Sequence, residues 1–246
     1  MIEDYSGDEM LGYFLEQQRH QGASWGINSD ICATSRLHHQ AVFDRDANQA
    51  SRLKEYMLRK WFELSNKNVM RRTHINIGEI AITEMLEAFF VEDAFWRVVE
   101  GRHFTPDEIK GYVDADVRFE LGEGTIDYQW IISAWLDAEG EIFKMLLKYI
   151  GIHSDLTYKQ LEELWSNHLN FLMVIFEAFS PYERVASSVI DNGQGRLPWP
   201  KTFRGKMQKV SSRIDDANDR VRKYRDLARQ EENINRLATL LERVGK

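Results

Sequence analysis

The stretch NHLNFLMVIFEAFSPYERV, residues 167–185, is apolar around most of a helical circumference. Its large apolar side chains fall on several sides of the helix and include Leu169, Leu172, Ile175, Phe176 and Phe179. A helix that is apolar on most sides is typical of a central, buried element. We therefore predict a core helix here, with a turn of the chain after Ser180 and Pro181. His168 is interpreted as a core or boundary residue, with a ligand role as the alternative.

Helical periodicity extends over most of the chain. Predicted helices begin near Asp46, cover Ile77–Val99, start at Pro106 and run to about Leu121, cover Tyr128–Ile150, and begin after a cap at Ser154 or Thr157. The HFTPDEI segment carries a helix-start signature, since Thr105 precedes a proline and Glu108 follows three residues later. No run alternates between apolar and polar residues as a half-buried strand would. The sequence predicts an all-α fold.

The last part of the chain has a different pattern. Apolar residues recur in steps of four and three over about four heptads, at Phe203, Met207, Val210, Ile214, Ala217, Val221, Tyr224 and Ala228. The pattern slips near Glu231 and resumes at Ile234. A single apolar seam needs a partner helix, either from the body of the same chain or from a second copy. We favour a homodimer through residues 201–246.

The predicted organisation therefore has four parts. Residues 1–45 form an irregular or partly helical N-terminal segment, and residues 46–185 form a helical body, either a bundle or globin-like. Residues 186–200, which hold two glycines and two prolines, are predicted to be a linker. Residues 201–246 form the long heptad-patterned helix.

Charge is distributed unevenly along the chain. The net charge is −7, but residues 201–246 hold thirteen Lys and Arg against seven Asp and Glu, which leaves the body strongly acidic. Acidic residues are mixed into the basic segment, whereas a nucleic-acid arm has a denser basic cluster. We therefore predict a protein partner or a second copy rather than nucleic acid.

Several functional classes lack their sequence signatures. There is no Walker A loop, GxGxxG, HExxH or GxSxG, so we do not expect an enzyme. The single cysteine, Cys32, lies near His38 and His39 but is an isolated candidate nucleophile. No apolar run is long enough to span a membrane, and the polar, acidic N-terminus does not resemble a signal peptide. These features predict a cytoplasmic protein.

One Glu-x-x-His pair offers an alternative metal site. Glu100 and His103 are three residues apart, which is the spacing that places two ligands on one helix face in carboxylate-bridged metal proteins. A helical metalloenzyme built on this pair is the second alternative function.

A haem site is the cofactor prediction. The segment RRTHINIGEIAITEMLEAFF, residues 71–90, places His74 before Ile77 and Gly78. This His-x-x-Ile-Gly run resembles the proximal-ligand segment of the bacterial sensor globins, and RLKEYMLRKWFEL, residues 52–64, is similar to the helix that precedes it. The resemblance implies a globin fold with His74 as axial haem ligand. It also implies pocket walls formed by Phe62, Phe89 and Phe90.

A second register of the same resemblance remains open. Residues 107–135 together with LEELWSNHLNFLMVIFEAF, residues 161–179, are similar to the last three helices of that family. In this register Arg118 stands near the position of the iron-binding histidine, and arginine does not ligate iron. The implied protein is then a haem-free sensor globin, like the regulatory domains of stressosome scaffolds.

Both registers imply the same class of function. We expect a sensory or regulatory helical protein in which the body binds a ligand or partner and the C-terminal helix dimerises and relays the change. The first alternative is a protein-interaction scaffold without a cofactor.

Overall fold

The computed structural model describes residues 26–66, 76–114, 128–191 and 199–244. These residues form seven α-helices and no strand, so the all-α prediction is confirmed. The helices are α1 (Gly26–Phe43), α2 (Ala47–Asn66), α3 (Asn76–Val99), α4 (Pro106–Asp114), α5 (Tyr128–Ile152), α6 (Tyr158–Asp191) and α7 (Trp199–Val244). Within these ranges, no helix is both long and apolar enough to cross a bilayer.

The chain divides into two compact units. Unit 1 comprises Met1–Phe95 and Gly111–Glu141, and unit 2 comprises Trp96–Lys110 and Ile142–Lys246. Helices α3, α4 and α5 each contribute residues to both units. Each unit has its own set of fully buried large side chains, as an independent hydrophobic core requires.

In unit 1, helices α1 and α2 pack against each other. The buried side chains of this unit include Ile31, Met57, Met85, Phe95, Ile131 and Trp135. Phe43, at the end of α1, stacks on Phe95 of α3 with ring centroids 5.7 Å apart. Contacts from distant parts of the sequence therefore build this core.

Helix α1 lies within residues 1–45, the segment that was predicted to be irregular or partly helical. The chain is helical from Gly26 to Phe43, while residues 1–25 lie outside the described part. The buried face of α1 includes Thr34, Ser35 and His38 beside Ile31. The periodicity of apolar residues does not reveal a helix whose buried face is partly polar. Thr34 is accommodated on this face because its hydroxyl donates a hydrogen bond to the backbone carbonyl of Asp30 at 2.6 Å.

The connection between α1 and α2 is a compact helix C-cap. The amide of Asp46 donates to the carbonyl of Ala41 at 2.9 Å, and the amide of Arg45 donates to that of Val42 at 3.2 Å. This is the Schellman pattern, and Arg45 adopts the left-handed conformation that it requires, with φ of 58°. Asp46 then caps α2 through its carboxylate, which accepts from the amide of Gln49 at 2.9 Å.

Two predicted helix starts in unit 2 are confirmed. The amide of Glu108 donates to the Thr105 hydroxyl oxygen, and the Glu108 carboxylate accepts from the Thr105 amide, which forms a capping box. Thr157 rather than Ser154 caps α6, since its hydroxyl accepts from the Gln160 amide at 3.2 Å. Helix α4 is described only to Asp114, so its predicted extension to Leu121 lies outside the described residues.

Helix α6 corrects the predicted turn after Pro181. The helix continues through this proline to Asp191, so the first six residues of the predicted linker 186–200 are helical, and α7 begins at Trp199. Phe179 before the proline is fully buried, and Glu183 after it pairs with Arg204 of α7 at 3.3 Å. Contacts on both sides offset the roughly 3 kcal/mol that an interior proline costs a helix.

Helices α6 and α7 pack against each other along unit 2. The residues of α7 that are buried within the single chain are Phe203, Met207, Val210, Ala217 and Val221, all members of the predicted seam. The seam therefore finds its partner in the same chain over this length, which is one of the two alternatives that the sequence left open. The homodimer prediction is thereby confined to the end of α7.

Basic residues of α7 also contact the other helices of unit 2. The Arg225 guanidinium donates to the Glu162 carboxylate at 2.7 Å. The Arg220 guanidinium lies 4.5 Å from the centroid of the Trp165 ring, and that of Arg213 lies 5.3 Å from Phe143. Part of the positive charge of residues 201–246 is thus used in packing within the chain.

His168 lies in the core of unit 2. It is fully buried, with its ring centroid 5.7 Å from that of Phe143 and 5.8 Å from that of Trp165. These neighbours are aromatic walls of the core, which agrees with the interpretation of His168 as a core residue.

Candidate ligand-binding site

A cavity of about 520 Å³ lies within unit 1. Its volume is in the range of protein sites for small organic molecules. The described residues that line it come from four helices and are Lys54, Leu86, Phe89, Phe90, Glu92, Asp93, Tyr112 and Ile131. The lining combines an apolar wall with a small set of charged groups, which is the usual make-up of a specific ligand site.

Helix α3 supplies most of the lining. Leu86, Phe89, Phe90 and Asp93 follow the spacing of three, four and seven residues that places side chains on one helix face. Phe89 and Phe90, which the globin resemblance assigns to the wall of a haem pocket, lie on the wall of this cavity.

An aromatic cluster holds one wall in position. The ring of Phe90 stacks on Trp135 with centroids 4.3 Å apart and planes 10° apart. Tyr112 meets both rings edge to face, at 5.5 Å and 5.1 Å. Trp135 is fully buried. Offset stacks and edge-to-face contacts are favourable geometries for aromatic rings, so this wall is packed before a ligand arrives.

The polar part of the cavity centres on Glu92. Its Oε2 atom accepts a hydrogen bond from Lys54 Nζ at 3.0 Å and another from His38 Nε2 at 3.2 Å. His38 is fully buried, whereas Glu92 is about one-third exposed. The hydrogen bond from His38, followed by that from Lys54, lowers the pKa of Glu92 from 4.5 to about 2 against the opposing effect of burial. Glu92 is therefore ionised at neutral pH.

Two further polar groups complete the lining. The Tyr112 hydroxyl donates a hydrogen bond to Oδ2 of Asp93. The ammonium of Lys54 lies 4.7 Å from the centroid of Phe89, within cation–π range. The ammonium group of Lys54 is thus held between the carboxylate of Glu92 and the face of the Phe89 ring.

The predicted haem ligand is not among the described residues. His74 and Arg118 lie in the ranges 67–75 and 115–127, outside the described part, and Phe62 belongs to α2 without a described side chain. A haem pocket needs an axial ligand in apolar surroundings. The described lining of the cavity holds three charged side chains and no histidine. The role of His74 stays a prediction, which an absorption spectrum of the purified protein tests.

Glu100 and His103, the alternative metal pair, both lie within the described residues. The carboxylate of Glu100 accepts from Arg102 Nε at 3.0 Å. The backbone carbonyl of His103 accepts from Arg97 at 3.3 Å. The part of the chain that the structure describes has no group of three or more His, Cys, Asp or Glu side chains that could hold a metal. The pair therefore has no further protein ligand there.

Cys32 does not resemble a catalytic nucleophile. Burial, followed by the negative charge of Glu84, raises the pKa of the thiol from 9.0 to about 11. The thiol is then protonated at neutral pH, whereas the thiolate is the reactive form. The nearby His38 ring is engaged by Glu92 rather than by this cysteine.

Sequence reasoning missed most of the polar site. Lys54, Glu92, Asp93 and Tyr112 carry no motif, because each is a common helix-surface residue type. The available signal is weak: Glu92 and Asp93 stand in an otherwise apolar stretch of α3, after Phe89, Phe90 and Val91.

We predict that Glu92 makes a pH-dependent contribution to stability. Because its folded pKa of about 2 lies below the ordinary value of 4.5, this contribution is complete above about pH 5 and is lost as the pH falls from 4.5 towards 2. After allowance for solvent screening at a partly exposed site, we expect about 1–2 kcal/mol. The free energies of urea unfolding of Glu92→Gln and wild type should differ by this amount at pH 7 and converge as the pH falls towards 2.

Glu55→Gln is the matched control for this prediction. Glu55 is 74% exposed and pairs with Arg59 one helical turn away, so its removal should cost less than about 0.5 kcal/mol. An equal loss of stability in both variants, or a Glu92→Gln difference that does not depend on pH, would contradict the assignment.

No protein-family model, no curated protein and no solved structure matches the chain.

Proposed function

We propose that the chain is a regulatory protein that binds a small molecule in the cavity of unit 1 and pairs with a second copy through the end of α7. The globin resemblance suggested the sensory role, while the cavity supports it without haem. The observation that carries the assembly part is the exposed apolar end of α7. Its members are Ile234 at 66% exposure, Leu237 at 61%, Leu240 at 55% and Leu241 at 73%.

The exposed face is not a continuation of the seam that α6 covers. If the steps of three and four continued beyond Ala228, they would reach Glu231, Asn235, Ala238 and Glu242. The apolar residues instead occupy Ile234 and Leu241, one position earlier than Asn235 and Glu242. One residue corresponds to a rotation of roughly 100° around an α-helix. The final turns thus present their apolar side in a direction different from the packed seam.

A second copy of the chain is a suitable partner for this face. The residues three or four positions from Ile234, Leu237 and Leu241 include the uncharged Asn233, Ala238 and Leu240, and one carboxylate, Glu231, at the start of the face. The centre of the face is uncharged, so two copies meet there without like-charge repulsion, and a two-fold axis lets the same patch serve both copies. Burial of these side chains on both sides provides the driving force.

Pairing is tested with charges placed on and off the exposed face. Leu237→Glu combined with Leu241→Glu should convert a dimer of about twice 28.9 kDa into a monomer, because two carboxylates per copy would have to be buried. Asn235→Glu with Thr239→Glu adds the same charge to the opposite side of the helix and should leave the dimer intact. Light scattering coupled to size exclusion measures both masses.

Two outcomes of this experiment would contradict the assembly proposal. One is a wild-type mass of a monomer at every concentration. The other is dissociation of both double variants alike, which would indicate a general effect of charge. A monomeric wild type that keeps its exposed face would favour the second candidate, an interaction scaffold in which this face binds a different protein.

The regulatory part of this proposal requires that ligand binding in the cavity and pairing through the end of α7 influence each other. Helix α3 carries five of the described cavity residues and continues without interruption to Val99, so a ligand that shifts α3 also acts on residues of unit 2. By linkage, a ligand that favours the dimer must bind the dimer more tightly than the monomer. The dimer dissociation constant should therefore change when the cavity is occupied.

A further inference from the structure

We propose that the cavity of unit 1 binds a small organic monocation, such as a primary amine, attached to a short apolar or aromatic body. This inference rests on the proposed ligand-binding function and names the ligand class. It combines three observations on the described lining: its apolar walls, its net charge and its unused hydrogen-bond acceptors.

The walls select an apolar body. Phe89, Phe90, Leu86 and Ile131 provide the apolar lining, together with the ring of Tyr112. Removal of apolar surface from water is the general source of affinity in such pockets. A volume of about 520 Å³ accommodates a ligand the size of a substituted benzene ring.

The charges select a cation. The described lining holds the carboxylates of Glu92 and Asp93 and the ammonium of Lys54, which leaves one negative charge in excess. Glu92 is neutralised by Lys54 at 3.0 Å, so the excess charge lies on Asp93. A bound monocation would complete the neutralisation of the site, whereas an anion would face two carboxylates.

The hydrogen bonds leave acceptors for an ammonium group. Both bonds to Glu92 use its Oε2 atom, and the bond from Tyr112 uses Oδ2 of Asp93. The second oxygen of each carboxylate has no further hydrogen bond among the described residues. An ammonium group has three donors, and it matches two such acceptors beside aromatic walls.

Lys54 supports this choice over an anion site. Its ammonium is already engaged by the Glu92 carboxylate and by the face of Phe89 at 4.7 Å. An anion bound to Lys54 would compete with Glu92, which is held in place by His38 as well. The same pair of contacts indicates that this lining stabilises positive charge.

The probes for this test are three compounds that share one benzene ring. Benzylamine is the cation, benzyl alcohol is the neutral analogue and benzoate is the anion. We expect isothermal titration calorimetry of the full-length protein at pH 7 to detect benzylamine binding. Affinity for benzyl alcohol should be at least about fivefold weaker, which corresponds to the roughly 1 kcal/mol of a partly exposed charge pair. Benzoate should not bind.

Two variants separate the cation site from general packing. Asp93→Asn removes the excess charge and should weaken benzylamine binding by about fivefold, while binding of benzyl alcohol should not change. Lys54→Met removes the competing cation and should strengthen benzylamine binding. Asp44→Asn is the matched control, because Asp44 is exposed, its carboxylate accepts a hydrogen bond from Gln40 and it is not among the described residues that line the cavity.

Circular dichroism melts establish that each variant is folded before titration. Three results would overturn the inference: no benzylamine binding up to about 10 mM, for which the free energy would be weaker than about −3 kcal/mol; equal affinity for all three probes; or tighter binding of benzoate that is lost in Lys54→Met. Failure here leaves the assembly proposal standing, because the solution mass is measured without any probe.

Discussion

Val210→Asp is expected to lower the free energy of unfolding by about 3–5 kcal/mol, because it leaves an unpaired charge at a buried position. Val210 is 1% exposed and belongs to the part of α7 that packs within unit 2. The same change at Ile234, which is 66% exposed, should cost the folded monomer less than about 0.5 kcal/mol. Urea unfolding followed by far-ultraviolet circular dichroism, at a concentration where the protein is monomeric, measures both values.

This pair of variants tests the division of α7 into a part that is buried within the chain and an exposed apolar end. Both residues are β-branched, both lie on one helix and both receive the same charge, so helix propensity contributes equally to the two changes. A large loss at Ile234 would mean that the end of α7 is packed within the monomer. A small loss at Val210 would mean that the seam is not buried against its own chain.

Trp135→Ala is the second change with a large expected effect, about 3–5 kcal/mol of unfolding free energy. The indole is fully buried and stacks on Phe90 at 4.3 Å while Tyr112 contacts its edge. Its removal leaves a void behind one wall of the cavity, so we also expect benzylamine binding to weaken.

Trp135→Phe is the control for this prediction. It keeps an aromatic ring that can stack on Phe90 and should recover more than half of the lost stability. A cost below about 1 kcal/mol for Trp135→Ala would contradict the role of this stack in unit 1.

Local signals allowed several parts of the fold to be predicted. The capping box of Thr105 and Glu108 was predicted correctly, and Thr157 was one of two predicted caps, because both features involve residues three apart in sequence. The seam on α7 was recognised because its 3.5-residue repeat is a property of one helix. Helix α1 was missed, because the polar residues Thr34, Ser35 and His38 are buried on the face where apolar residues were expected.

Features that depend on contacts between residues distant in sequence could not be predicted from local signals. The turn predicted at Pro181 is absent, because packing of Phe179 and pairing of Glu183 with Arg204 outweigh the local preference of proline. Similarly, the seam at Val210 could have paired with its own chain or with a second copy. A repeat pattern specifies that a partner is needed but does not specify which one.

The sequence by itself determined that this protein is helical, where two of its helices begin and that its last helix needs a partner. These properties depend on residues within one or two helical turns of one another, where propensity, capping and periodicity act. Only the tertiary structure decided that Lys54, Glu92, Asp93 and Tyr112 line one cavity and that the exposed face of α7 is limited to its end. Those properties depend on contacts between helices that are distant in sequence, and no local pattern encodes such contacts.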